Sequence, residues 1–513
     1  MMPGIPSTGV VGVPNQRSRA GTIGPTFRRQ EYVAYRRRLH RCLDVFAQIL
    51  DRFQFDEDRP MTGLELEICL VDRDGQPAMR NQDLLALLAE GDLSGVFQEE
   101  LGRFNIEANI PPRLIGGTGL HDCEAYLRTT LNQAQTRAES LGIGLVAIGI
   151  LPTITPDHTV LANVSSNPRY STLNSQILTA LGDDVSIDIQ GRGERLQVRT
   201  ESIMPEAANT SLQLHLQVTP ATFAAYWNAS QAIAGVQVAV GANSPFLFGT
   251  RLWDETRVIL FEQSTDTRPE EQRNQGVRPR VWFGERWITS VFDLFEENIR
   301  YFPPLLPIAY PEDPDEAIEA GRVPYLGELR LHNGTVYRWN RPVYDVADGR
   351  PHLRVENRVL AAGPTVVDML ANAAFYFGLV RTLATANRPV WSQLTFDAAR
   401  RNFYEACKYG LSATQEWPRL GELAATDLVL EKLLPAAAEG LAAYGVDATV
   451  RDRLLGIIER RCDTGRNGAV WQTRTVAALE ERGMNRPAAL REMLRRYVSH
   501  MHTNEPVHTW PID

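Results

Sequence analysis

Glu65 and Glu67 are the first residues of this 513-residue chain whose types and spacing could do chemistry. They lie in Gly63-Leu64-Glu65-Leu66-Glu67-Ile68-Cys69-Leu70, where apolar and acidic residues alternate. A period of two predicts a strand with one face in a core and both carboxylates on the other. Two carboxylates about 7 Å apart on one face repel each other, and glutamate is a poor strand former, so the pattern points to a bound cation. Four other segments alternate in the same way. Phe104–Ile110 places Asn105, Glu107 and Asn109 on one face, and Ser211–Val218 places Ser211, Gln213, His215 and Gln217 on one face. Glu328–His332 reads as a strand carrying Glu328, Arg330 and His332, and His352–Leu360 aligns Arg354, Glu356 and Arg358.

Any one of these faces could be a solvated surface, because half-buried antiparallel sheets alternate too. Ordinary solvent faces include lysine, whereas these five strands contain none and concentrate Glu, His and Arg. Carboxylates are hard ligands for Mg²⁺ or Mn²⁺, and imidazole adds a nitrogen that Mn²⁺ accepts. Such ions neutralise nucleotide phosphates, and arginine forks hold the transferring group, so the set suits phosphoryl chemistry. The chain has no Gly-rich loop ending in Lys-Ser/Thr. Gly116-Gly117-Thr118-Gly119 lacks that lysine and reads as a loop. A nucleotide would therefore bind on a sheet, through metals.

The remaining elements must position these strands. Helices are expected over about 27–53, 82–89, 123–141 and 220–240, with a hairpin at 185–190 and 195–201. The apolar run Gly144–Leu151 reads as a central strand, and Pro111-Pro112 reads as the end of the strand before it. Residues 265–280 are polar and read as a mobile loop, and from about Gly363 the chain reads as helical to its end. Arg36-Arg37-Arg38 reads as a solvated helix face, and residues 1–25 as a disordered arm. A net charge of −9 argues against a general nucleic-acid or membrane-surface binder. The five scattered cysteines form no CxxC pair, so a cytoplasmic, reducing compartment is expected.

The chain resembles the glutamate–cysteine ligases of the second type, which include bacterial carboxylate–amine ligases of the glutamine-synthetase-like superfamily. The resemblance rests on Gly63–Glu67, Asn105-Ile106-Glu107, Leu214-His215-Leu216, Ala242–Phe246 and Asp254–Arg257. Trp339–Pro342, Arg354–Arg358, Asp368-Met369 and Gly465–Gln472 extend it, in order, over roughly residues 60–480. It implies an α+β fold in which an antiparallel sheet curves into a funnel-like active site, with helices on its outer face. It also implies a catalytic domain over residues 26–395 and a helical C-terminal region, 396–513, packed on it.

By the same resemblance, Glu65, Glu67, Glu107, His215 and Glu356 are metal ligands for two or three Mg²⁺ or Mn²⁺ ions, and Glu67 and Arg358 are catalytic. Asn243, Arg341, Arg330 and Arg354 are expected near ATP or substrate. The implied reaction joins a small carboxylate to an amine, amino acids by family default, through an acyl phosphate with release of ADP. A homo-oligomer is compatible with it. A guanidino-kinase-like phosphotransferase, an inactive nucleotide-binding homologue and a metal-dependent hydrolase remain open at this stage. Asn357, between Glu356 and Arg358, departs from the apolar or small residue usual there.

Overall fold

The computed structural model describes residues 27–56 and 60–512, so the arm expected over residues 1–25 lies outside the described residues. Seven strands form one antiparallel sheet: β1 (Met61–Val71), β2 (Phe97–Glu99), β3 (Asn105–Leu114), β4 (Gly144–Val146), β5 (Ser211–Val218), β6 (Asn340–Ala347) and β7 (Arg350–Ala361). Their order is β6-β7-β5-β1-β3-β2, with β4 paired to the end of β1, and the sheet curls into a half-barrel. Thus β1, whose alternation is clearest in the sequence, is central. Its Leu64, Leu66 and Ile68 are buried on one face, while Glu65 and Glu67 alternate with them on the other.

Two bulges mark the sheet. Leu64 pairs with Ile110 and Thr62 with Arg113, so Gly63 stands opposite both Pro111 and Pro112. The strand therefore runs through the prolines to Leu114 instead of ending there, because prolines in a bulge need no ladder hydrogen bond. On β7 the register against β5 slips between Asn357 and Leu360, so Arg358 and Val359 together face Gln213. Asn357 points away from the carboxylates into a buried amide network. It donates to Gln237 Oε1 (3.1 Å) and Asn340 Oδ1 (2.8 Å), and Asn340 donates to Gln231 Oε1 (2.6 Å). A polar residue is satisfied there because the helix Pro220–Gly241 brings matching amides.

That helix is mostly apolar and buried along most of its length, with Thr219 as its N-cap. The helix Val366–Ala384 is long and apolar enough to cross a membrane, but it is a core element, with 83% of its apolar window buried. It crosses the helix Leu434–Ala443 so closely that a Cβ on Gly440 would lie 1.8 Å from the Gly378 carbonyl oxygen. Two further helices, Gly468–Glu481 and Arg486–Thr503, close a second core over Cys69, Val71, Val146 and Ile148 at the end of β1.

Four further segments differ from the sequence expectations. Glu328–His332 is part of a helix, Gly327–Asn333, not a strand. Five alternating residues fit both periods. Here Glu328, Leu329 and His332 turn inward, Glu328 meeting Arg38 Nε at 2.5 Å and His332 Nε2 lying 2.9 Å from the Asn298 carbonyl. Of residues 144–151 only Gly144–Val146 pair as a strand, at the sheet margin. The rest is apolar because it is enclosed between the sheet and the C-terminal helices, where Tyr497 donates to the Ala147 carbonyl at 2.8 Å. A hairpin, Thr414–Trp417 with Gly421–Ala424, interrupts the helical C-terminal part, and a short helix, Glu270–Asn274, lies within residues 265–280. The first helix, Arg29–Arg52, and the hairpin Val185–Gln190/Arg195–Thr200 agree with the sequence, and Arg36 and Arg37 are exposed.

The helical layers share one buried ion pair. Arg461 Nη2 meets Asp368 Oδ1 at 2.8 Å, and its other amine reaches Asn372 Oδ1 at 2.6 Å, while Asp368 also accepts from the Val507 N–H. Both side chains are almost fully enclosed. Removing one partner leaves a buried charge uncompensated, which costs about 3–5 kcal/mol. Arg461→Ala is expected to lower stability by that order in denaturant unfolding, and Asp368→Asn/Arg461→Met to recover part of it. A loss under 1 kcal/mol for the single variant would contradict this account.

Candidate active site

The curl of the sheet brings the polar faces of β1, β3, β5 and β7 together. Glu67 stands opposite Glu107, His215 opposite Glu356, and Glu65 opposite Gln213. Two groups result, each with ligand atoms within 4.8 Å of one another. One comprises Glu65, His215 and Glu356; the other comprises Glu67, Glu100 and Glu107. The five carboxylate and imidazole residues singled out in the sequence are thus assembled, in two clusters.

Glu356 is fully enclosed and holds its charge through arginines. Arg341 Nε and Nη2 grip it from the neighbouring strand at 2.8 and 3.0 Å, and Arg358 donates to it from the bulge. Burial opposes ionisation, but Arg341, Arg358 and His215 more than offset it, and the Glu356 carboxyl stays well below its usual range. Glu65 is likewise lowered: burial raises it, and the adjacent His215 outweighs that. His215 is 6% exposed. Its Nε2 lies 3.0 Å from Glu65 Oε1 without hydrogen-bond alignment, and neither ring nitrogen has a hydrogen-bond partner among the described residues.

The second group is short of cations. Glu67 accepts from Ser211 N–H (2.7 Å) and Gln213 Nε2 (3.0 Å), and Glu107 from Gln98 and Asn109. Burial still raises Glu67. Glu107 is pushed well above its usual range by burial and by Glu65, Glu100 and Glu67, while burial with Glu67 raises Glu100 to about 7. Glu206 reaches about 8 through burial, Glu100 and Glu67. Between the groups stands Arg358, which donates to Gln213 Oε1 at 2.5 Å and acts electrostatically on both Glu67 and Glu65.

An orphaned imidazole beside a carboxylate, and three carboxylates crowded without an ion pair, are the donor sets that a hard divalent cation satisfies. These residues therefore fit Mg²⁺ or Mn²⁺. Sequence reasoning missed Glu100 and Glu206, which lie on a strand-end loop and in the 3₁₀ turn Met204–Ala208, where no alternation announces them. Acidic residues close in sequence to Asn105 and Ser211 were the only available signal.

The arginines divide differently from expectation. Arg341 is a clamp on Glu356. Arg354 lies beside the first group, feeling the charges of Glu65 and Glu356; it contacts His352 at 2.7 Å, and its Nε has no partner. Arg330, on the helix and not on a strand, pairs with Asp345 at 2.9 Å and stacks over Tyr325, one step outside the cluster. Asn243 is not brought to the site. It is enclosed, and its amide donates to Ala362 O and Tyr497 Oη (2.8 Å each) and accepts from Gln472 at 2.8 Å. That part of the resembling sequence, with Gly465–Gln472, is a packing joint; a Cβ on Gly468 would strike Asn243 Oδ1.

The curled antiparallel sheet with helices packed on it is a fold shared with solved ligase structures. The match to Glutamate-cysteine ligase family 2 runs over residues 61–500, and the chain belongs to that family. Among solved structures it is similar to glutamate–cysteine ligase from Francisella tularensis, solved in complex with AMP. That match has 13% identity and a TM-score of 0.54 and covers 88% of this chain and 90% of that one. A bifunctional glutathione synthetase from Pasteurella multocida matches at 12% identity and a TM-score of 0.52, over 92% of this chain and 55% of that one. Comparison with curated proteins gives no match.

The raised carboxyls set a pH dependence for the metal-free protein. Glu100 and Glu206 hold protons when folded at pH values where the unfolded groups, near 4.5, do not. Their contribution is complete below about 4.5 and is lost as pH rises through the folded values of about 7 and 8. In chelator, Tm is expected to fall between pH 6 and 8.5, and Mg²⁺ to raise it more at the upper end. A flat profile indifferent to Mg²⁺ in thermal-shift measurements would rule out the cation reading of the cluster.

Proposed function

We propose that the protein is an ATP-dependent ligase that joins a small carboxylic acid, with amino acids the favoured class, to an amine. The observation that carries this reading is Arg358, held at a strand bulge between two carboxylate groups on one concave face. A guanidinium flanked by two cation seats suits a polyphosphate whose terminal group is transferred. Family membership and the AMP bound to the Francisella enzyme support nucleotide use.

The substrate carboxylate oxygen attacks the γ-phosphorus, the bond to ADP breaks, and an acyl phosphate forms. The amine nitrogen then attacks the acyl carbon and loses a proton, and the C–O bond to phosphate breaks. Divalent ions at Glu65, His215 and Glu356 and at Glu67, Glu100 and Glu107 would supply charge neutralisation between the two anions. Arg358 stabilises the transferring group, and Arg341 keeps Glu356 ionised and aimed. Positioning and fixed charge are the main contributions, with no covalent enzyme intermediate.

The purified protein with ATP, Mg²⁺ and pooled amino acids and amines is expected to release ADP only when acid and amine are both present. Mass spectrometry then identifies the product. AMP release, or ADP formation without an amine, would overturn the ligase reading, the latter in favour of a phosphotransferase. Glu67→Gln removes charge from the second group at constant shape, and ADP formation should fall by at least about 10²–10³-fold. Its circular dichroism should stay that of the parent, and full activity in this variant would refute the assignment.

A further inference from the structure

A cleft opens beside the second carboxylate group, lined by Glu67, Glu100, Glu206, Asn105, Asn209 and Trp339 among others; Arg257 and Arg358 also reach it, but they are paired with Glu255 and Glu356. Its three carboxylates are unequal. Glu67 is engaged by Ser211 and Gln213, and Glu100 belongs to the cation seat with Glu107. Glu206 has no side-chain hydrogen bond or ion pair among the described residues, although Glu100 and Glu67 press on it electrostatically. Independently, three other groups on the same wall are unsatisfied. Both amide atoms of Asn209, Asn105 Oδ1 and Trp339 Nε1 are shielded from solvent and lack partners, and Asn105 and Trp339 are 3% and 2% exposed. Buried polar groups without partners are costly, so their convergence at one cleft marks a ligand's outline.

We infer that this cleft seats the ammonium end of the amine substrate, with Glu206 as the residue that positions it; this rests on the ligase reading above. Glu206, Asn105 Oδ1 and Asn209 Oδ1 are acceptors for an ammonium, whereas Trp339 Nε1 and Asn209 Nδ2 are donors that need an acceptor. One ligand satisfies both if it carries an ammonium group and an oxygen acceptor, which is the chemistry of an amino acid. A further metal ion fits less well, because an indole N–H and an amide N–H cannot ligate it.

The test uses the acid and amine returned by the pooled screen, with hydroxylamine as a neutral amine that needs no ammonium seat. In Glu206→Gln the KM for the amine should rise about tenfold or more, the loss of a charge-assisted hydrogen bond. The ratio of hydroxamate to amide formation should rise with it, and Glu206→Asp should restore part of the KM. An unchanged amine KM and ratio would overturn the inference while leaving the ligase reading in place. So would a shift in Mg²⁺ half-saturation in place of amine KM, since it would make Glu206 a metal ligand. Absence of acid-dependent ADP and hydroxamate from the unaltered protein would overturn both.

Discussion

Like charges do not share a concave surface unless something holds them there. The backbone ladder of one curled sheet does so here: with Glu67 opposite Glu107 and Glu356 opposite His215, the register alone fixes the carboxylates at close range. Repulsion is relieved unevenly. Arg341 and Arg358 neutralise Glu356, while Glu67, Glu100 and Glu107 have only amide and backbone donors. One side of the site is therefore stable as it stands, and the other is poised to take up positive charge. Arg358, two residues beyond Glu356 and on the same face, ties the two sides together: it donates to Glu356 and acts electrostatically on Glu67.

What surrounds the sheet follows from that imbalance. Its opposite face must be rigid and dry, and it is backed by the buried helices Pro220–Gly241 and Val366–Ala384. Where the sequence puts amides into that backing, as at Asn357, Gln237, Asn340 and Gln231, they satisfy one another. The Asp368–Arg461 pair performs a similar task between helices far from the carboxylates. Asn243 belongs with these joints, not with the chemistry, which is why a motif next to the active strands is no guide to its role.

The central strand, its partner strands and the ligand-type residues on them were legible because period-two alternation survives when one face is buried and the other is charged. Glu65, Glu67, Glu107, His215 and Glu356 were found in this way. Glu100 and Glu206 were not, because they project from a strand end and a 3₁₀ turn, whose position depends on tertiary packing. Glu328–His332 shows the same weakness in reverse. Its alternation is genuine, but over five residues a helix can bury Glu328 and His332 beside Leu329 as readily as a strand can separate them. The 144–151 run was misread because complete enclosure, not pairing, made it apolar.

The pairing order of the sheet has a kinetic consequence. The ladder's central strand, β1, is made early, yet the backbone donor that receives Glu67 comes 144 residues later, and β7 follows later still. Until then one side of β1 is an unpaired edge carrying two uncompensated carboxylates, and that charge discourages the edge from recruiting a strand of another chain. The glutamates of the mature site thus also act as gatekeepers during folding, in a topology whose long-range pairings make it slow to close.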